Sequence, residues 1–373
     1  MDLNDNELNR MFEYIIRRKP SLEIDVNIKG FFHDKCILII GGAGSIGRNV
    51  SKVISSFNPK KIIILDQAET PLHNIELDIK SNFSNINIEC LLADIRQVEI
   101  LKSIFKQNRI DIVYHIAAYK HVHIMEKTPL QAILTNIGGT KNIVDLSIEF
   151  NVSKFIFISS DKAVNPSSIM GASKKTAELY IQSTQKLNLE KANFSIVRFG
   201  NVFGSDGSVI PLFKKQIKET NKITITNPNA KRYFISIHEA CQLIIITTLI
   251  GQKGNSYMLN THNKIKMIKI AKRIIKFYDL IPDIDVDIDL IGLRSGEKLT
   301  EELIIKGTEI FTTPYKDIIM IKNEVEDSEE TRNEINDLIK TAVNDSKSEM
   351  IKKMKVIVPE YISQNPEYNI LDI

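Results

Sequence analysis

Two short stretches of this sequence carry residue types that could do chemistry. The first is Ser159-Ser160-Asp161-Lys162, where a hydroxyl precedes a consecutive carboxylate and amine. An acid and a base side by side suit elimination of water from a carbon next to a carbonyl. Both would need displaced proton affinities, since free Lys titrates near about 10.4 and free Asp near about 3.9. Desolvation by a substrate moves each in the needed direction. Taken alone, the pair also reads as a turn-capping Asp followed by a solvated Lys. The second stretch is Gly41-Gly42-Ala43-Gly44-Ser45-Ile46-Gly47, with glycines at 41, 44 and 47. Small residues there let backbone N–H groups, including those of Ser45 and Ile46, approach a pyrophosphate. A helix opening at Arg48 adds partial positive charge. Asp66, at the end of the next β-rich run, can accept from ribose hydroxyls and would repel a 2′-phosphate, which favours NAD over NADP. A helix-capping Asp is the alternative reading.

These residues need elements to position them. Short apolar, β-rich runs lie at 36–40, 61–65, 87–92, 111–115, 154–159 and 194–199, with amphipathic stretches such as 136–150 and 174–187 between them. Continuous apolar strands alternating with helices predict a parallel sheet covered on both faces. The glycine turn follows the first run and Asp161-Lys162 follows the fifth, so both would stand at the C-terminal edge of one sheet, where ligands bind in such folds. At that place the acid–base reading of Asp161-Lys162 is the better one. The expected fold is a Rossmann-type, doubly wound α/β sheet with a smaller C-terminal α/β lobe. The division is an N-terminal helical arm over 1–35, a dinucleotide-binding domain over 36–200, and over 201–373 mainly a second lobe with C-terminal helices. Leu8, Met11, Phe12, Ile15 and Ile16 give the arm its helical spacing. The charged stretch 322–350, with Ile335, Leu338, Ile339 and Val343 at helical spacing, reads as a solvated surface helix.

Composition removes several alternatives. Of 373 residues, 43% are hydrophobic and 25% charged, as in ordinary globular proteins. Lys+Arg 49 against Asp+Glu 46 gives a net charge of +3, too small to favour nucleic acid. Cys36, Cys90 and Cys241 are odd in number and far apart, which argues against a disulfide framework and fits a reducing cytoplasm. The polar start MDLNDNELNR is not expected to be a signal peptide. The longest nearly unbroken apolar run, 243–250, is too short for a transmembrane segment. His115, His121 and His123 lie close in sequence, but no Cys or paired carboxylate completes a metal set, so no metal is expected.

Four longer stretches, HIAAYKHVHIMEKTPLQAILTNIGGTKN, SSDKAVNPSSIMGASKKTAE, RFGNVFGSDGSVIPLF and IGLRSGEKLTEEL, resemble the UDP-N-acetylglucosamine 4,6-dehydratases of polysaccharide and glycan biosynthesis. These are extended short-chain dehydrogenases. The similarity is greatest to the catalytic domain of their membrane-anchored, configuration-retaining branch, and the chain is expected to be that domain without its membrane anchor. It covers nearly the whole chain, including RRKPSLEIDV, which looks like the linker after the membrane part, and VPEYISQNPEYNILD near the C-terminus.

The resemblance implies an internal redox cycle. NAD would take hydride from sugar C4 and return it to C6 after water has left. By the same resemblance Lys162 would remove the C5 proton, Asp161 would protonate the departing O6, Ser160 would bond O4, and Lys174 would hold the nicotinamide ribose. Short-chain dehydrogenases usually carry Tyr-x-x-x-Lys at this place; here Met170 stands where the Tyr would be, and a thioether takes no proton. Asp161 or an ordered water is then the candidate acceptor of the O4 proton. Asp94 and Ile95 follow the third strand, where such folds place an Asp against the adenine amino group, a plain turn Asp being the alternative reading; Ala117, after the fourth strand, would border the cofactor. Lys120 and His121 match a stretch lining the sugar pocket, although His123 replaces the family's usual Pro. For the UDP-N-acetylhexosamine, Asn201 and the Gly207-Ser208-Val209 turn offer donors. Arg232 and Arg294 offer charge for the phosphates, and Glu297 would accept from the uridine ribose by the resemblance, where a lone Arg or Glu would otherwise read as a surface ion pair.

The leading expectation is therefore a hydro-lyase acting as a homo-oligomer. Three alternatives stay open: a C5-inverting dehydratase, a UDP-sugar 4-epimerase, disfavoured by the missing Tyr, and a non-catalytic NAD-binding sensor. A sensor has no need of a paired acid and base.

Overall fold

The computed structural model describes residues 5–22, 28–83, 85–188, 192–260, 263–323 and 328–371. Its centre is a nine-stranded sheet. Strands β1 (Cys36–Ile40), β2 (Lys61–Asp66), β3 (Ile88–Leu92), β4 (Ile112–His115), β5 (Lys154–Ile158) and β6 (Asn193–Val197) lie in the spatial order 3-2-1-4-5-6, all parallel. Beyond β6 the strand Ser256–Leu259 continues the parallel set, and Ile318–Ile321 and Phe311–Thr312 close the edge antiparallel. The order reverses between β1 and β4, which opens a crevice at their C-terminal ends.

Alternation along the strands sorts side chains into two cores. Leu38, Ile40, Ile63 and Leu65 face one helical layer, and Ile37, Ile39, Ile62 and Ile64 face the other. The helix Ile169–Leu187 lies in the first layer, started by Ser168, whose Oγ accepts from the Gly171 N–H at 3.1 Å. The expected helix over 136–150 begins within a π-helical stretch, Ala132–Gly139, that runs directly into Thr140–Glu149.

Residues after 200 divide between two places. Some complete the sheet as described, while Val209–Thr220 and Met267–Phe277 build a third core. The N-terminal helix Asp5–Ile16 belongs to that core, with Met11, Phe12 and Ile15 buried among Phe203, Phe213 and Ile274. The stretch expected as a solvated helix is corrected by its packing. Helix Ser328–Thr341 lies on Ile169–Leu187 with Ile335 and Leu338 fully buried, because its apolar stripe completes the first core; Val343 falls beyond the helix and is exposed. Residues 324–327 of that stretch lie outside the described residues. Among the described residues no helix is long and apolar enough to cross a membrane.

Candidate functional site

At the crevice between β1 and β4 a cavity of about 660 Å³ opens. One wall is the glycine turn. Gly41 has φ +77°, and a Cβ on it would meet the Ala117 nitrogen at 2.6 Å, so the two turns after β1 and β4 can touch only through glycine. A Cβ on Gly47 would stand 2.1 Å from the Gly41 carbonyl oxygen, which fixes how closely the helix Ser45–Ser55 approaches the strand. Gly44, the N-cap, differs: its nearest neighbour would be 3.6 Å away, and it borders the cavity. Asp66 borders the cavity too, with one carboxylate oxygen accepting from the Ala43 N–H and the other from Ala68, both at 3.0 Å. A helix N-terminus, an open glycine and an anchored carboxylate along one wall fit a dinucleotide.

The opposite wall holds the candidate chemistry. Ser160, Lys162, Met170 and Lys174 all line the cavity. Met170 and Lys174 share one face of Ile169–Leu187. The Lys174 Nζ donates to the Ile158 carbonyl at 2.7 Å, and burial pushes its ammonium down to about 7. Asp161 lies behind the wall, fully buried. Its Oδ1 accepts from Ser160 Oγ at 2.8 Å and from Lys162 Nζ at 3.0 Å, while Oδ2 has no partner among the described residues. Lys162 also faces Glu301 at 3.6 Å. The sequence reading has desolvation by a substrate lower the Lys162 ammonium. Burial does pull it down, but Asp161 and Glu301 together outweigh that, and the net direction is upward.

The remaining candidates divide. Gly41, Gly44, Ser45, Ile46, Ile95, Ala117, Lys120, His121, Asn201 and Ser208 line the cavity with Asp66 and the residues just named. Ser208 Oγ is buried without a hydrogen-bond partner among the described residues. Val209 begins the helix behind it. Asp94, Arg232, Arg294 and Glu297 do not line the cavity. Asp94 grips Arg96, whose guanidinium holds its carboxyl below the ordinary range. Arg232 is buried and donates to Glu297 at 2.8 Å and to the Lys231 and Leu299 carbonyls; Arg294 is exposed. His115 is buried in β4 with Nε2 2.8 Å from Thr140 Oγ1. Burial, with Lys174 nearby, pushes it down to about 3, so it stays neutral. His121 and His123 have ring centroids 6.1 Å apart, and among the described residues no three His, Cys, Asp or Glu groups are arranged for a metal. The three cysteines are free thiols.

Three further residues shape the site. Asp206 ties the loop over the cavity to both turns. Its carboxylate accepts from Ser45 Oγ at 2.7 Å, its N–H donates back at 2.8 Å, and its carbonyl accepts from Lys120 Nζ at 2.6 Å. Asn136, in the π-helical stretch, exchanges hydrogen bonds with the Tyr119 backbone and donates to Ser173 Oγ at 2.9 Å, joining the turn after β4 to the helix bearing Lys174. Glu301 is the third. A polar residue set within a turn or an apolar helix was the available signal for the first two; nothing local marks Glu301.

Comparisons with known proteins give the family of the chain. A family model described as polysaccharide biosynthesis protein matches residues 37–323. Capsular polysaccharide biosynthesis protein CapD of Staphylococcus aureus is 40% identical over 309 residues, covering 82% of this chain and 51% of CapD, so the chain spans about half the length of that relative. The UDP-N-acetylglucosamine 4,6-dehydratase (inverting) of Campylobacter jejuni is 32% identical over 293 residues, 78% of this chain and 83% of the relative. Among solved structures, Pen from Bacillus thuringiensis superimposes with a TM-score of 0.73 at 34% identity, covering 82% of this chain and 98% of Pen. The chain belongs to the polysaccharide biosynthesis protein family, within the extended short-chain dehydrogenases.

Proposed function

We propose that this member of the family removes water from UDP-N-acetylglucosamine to give a UDP-4-keto-6-deoxy-N-acetylhexosamine, with C5 configuration retained. The observation that carries the reading is the buried Asp161 hydrogen-bonded to Lys162 on the wall that also holds Ser160, Met170 and Lys174. NAD, held along the glycine turn with Asp66 at its ribose, would supply the hydride acceptor for C4 and the donor for C6. Lys174 would hold the nicotinamide ribose, and the Ser208 hydroxyl and helix N-terminus would meet the diphosphate.

The chain's own residues then move two protons. Ser160 hydrogen-bonds O4, and Asp161 takes the O4 proton as C4 is oxidised. The 4-keto group acidifies the C5 proton, which neutral Lys162 removes. Asp161 gives its proton to O6, which leaves as water, so the hydrogen lost from O4 departs with it. Lys162 returns its proton to C5 as C6 receives hydride. Filling the cavity with substrate strips water from Lys162 and favours the neutral amine this requires. Inversion would need a second proton donor on the other face of the sugar ring. Met170, in the place of the family's Tyr, offers none, which supports retention.

The test is incubation with UDP-N-acetylglucosamine and NAD, following product mass and the NMR couplings around C5. Loss of one water with couplings of the unchanged configuration is expected. A galacto-configured product of unchanged mass would replace the reading with epimerisation. Inertness towards several nucleotide sugars would overturn the enzymatic reading altogether.

A further inference from the structure

Glu301 is almost fully buried, 2% exposed, yet makes no hydrogen bond through Oε2 to any described residue. Its Oε1 lies 3.6 Å from Lys162 Nζ and 4.0 Å from Arg232 Nε. A buried carboxylate is costly to keep unless it is paired, and these cations are what pairs it. The segment that delivers it is anchored to the catalytic turn at several points. Lys298 Nζ donates to the Val164 carbonyl at 2.9 Å, Asn165 donates to Glu302 at 2.7 Å, and Ser167 Oγ donates to the Gly296 carbonyl at 3.0 Å. The Lys231 N–H donates to the Leu299 carbonyl at 2.8 Å and ties the same segment to Arg232.

We infer that Glu301 is a positioning residue of the acid–base set: as a second carboxylate on Lys162 it holds the amine beside Asp161 and sets how tightly that amine keeps a proton. The inference rests on the proposed dehydration for its catalytic meaning. Lys162 is faced by Asp161 from its own turn, by Arg232 from the strand Lys231–Arg232, and by Glu301, with Lys298 facing both carboxylates. Two anions against the local cations favour the ammonium that forms when Lys162 takes the C5 proton. The same pair must be loosened before Lys162 can act, so Glu301 sets the pH at which the base becomes available.

The decisive measurement needs no sugar. The rate at which an amine-reactive reagent labels Lys162, located by peptide mass and followed against pH, reports its proton affinity. In Glu301→Gln the labelling midpoint should fall by about 1 to 3 pH units, the effect of removing one close opposite charge. Glu301→Asp should return it towards the original value. In the turnover assay, Glu301→Gln should shift the alkaline-directed rise of kcat to lower pH and lower its plateau, with KM little changed. An unmoved labelling midpoint in Glu301→Gln overturns the inference. Should that variant not fold, the original chain decides: the labelling midpoint of Lys162 must lie above that of Lys298, because two carboxylates hold Lys162 up while burial pulls Lys298 down, and the reverse order sinks the idea. If the chain dehydrates no sugar, the proposed function fails while the labelling result still judges Glu301.

Discussion

The two walls of the cavity are built on different principles. The dinucleotide wall is a matter of volume: Gly41 and Gly47 matter because nothing larger fits, and the groups offered to a ligand are backbone amides and one anchored carboxylate. The acid–base wall is a matter of charge: Asp161, Lys162, Glu301, Arg232 and Glu297 form a chain of alternating sign, buried at Asp161, Glu301 and Arg232 and half-buried at the other two, drawn from three separate segments. The first should tolerate charge changes and fail on added methyl groups; the second should tolerate small changes of volume and fail on lost charges. Their difference also separates binding from turnover.

The largest expected effect tests that separation. Lys162→Ala and Asp161→Ala should each lower kcat by about 10³-fold or more, with dinucleotide affinity by calorimetry nearly unchanged. Near-normal turnover in either would erase the contrast. The charge principle can be sharpened away from the chemistry, at the buried Glu178–Arg198 pair that joins the Lys174 helix to the end of β6. Glu178→Gln leaves a buried guanidinium unpaired and should cost about 3–5 kcal/mol in urea unfolding.

On the volume side, Gly47→Ala should cost about 3 kcal/mol, because the new methyl overlaps the Gly41 carbonyl. Lys174 then tests burial itself. Its folded value, about 7, lies below its ordinary 10.5, so the unfolded chain binds more protons between those values and stability should rise with pH across that window. The slope approaches about 1.4 kcal/mol per pH unit in unfolding free energy and should vanish in Lys174→Met. The smallest effect on the protein is expected from Gly44→Ala, within about 0.5 kcal/mol, since the nearest atom to the new methyl, the Gly41 carbonyl oxygen, would be at an ordinary contact distance of 3.6 Å. Dinucleotide affinity should nevertheless fall about tenfold, near 1.4 kcal/mol, because the methyl enters the space a ligand would use. Unchanged affinity would show that Gly44 does not border the bound dinucleotide.

Legibility followed the same divide. The six parallel strands were readable because each is a short apolar run between turns, and the structure moves their ends by only a residue or two. The glycine turn and Asp66 were readable because the whole arrangement occupies one βαβ unit. Asp161, Lys162, Met170 and Lys174 lie within a single turn and helix start; the structure puts Lys162, Met170 and Lys174 on one cavity wall, with Asp161 buried behind it. Helix Ser328–Thr341 was misread because its surplus of charge hides a narrow apolar stripe. The N-terminal helix was legible as a helix, but its partners Phe203, Phe213 and Ile274 lie too far along the chain to be paired with it by pattern.

By itself, then, the sequence determined the periodicity of the sheet, the helix starts and the residue types at the two turns, because propensity, capping and close backbone packing act over a few residues. Only the tertiary structure decided that Glu301 stands against Lys162, that Arg232 is turned towards Glu297 rather than into the cavity, and that Asp206 bridges the two turns. The physical reason is range. Charge acts through space, and in a buried site the sign and position of each neighbour set whether Lys162 holds its proton; sequence separation carries no information about either.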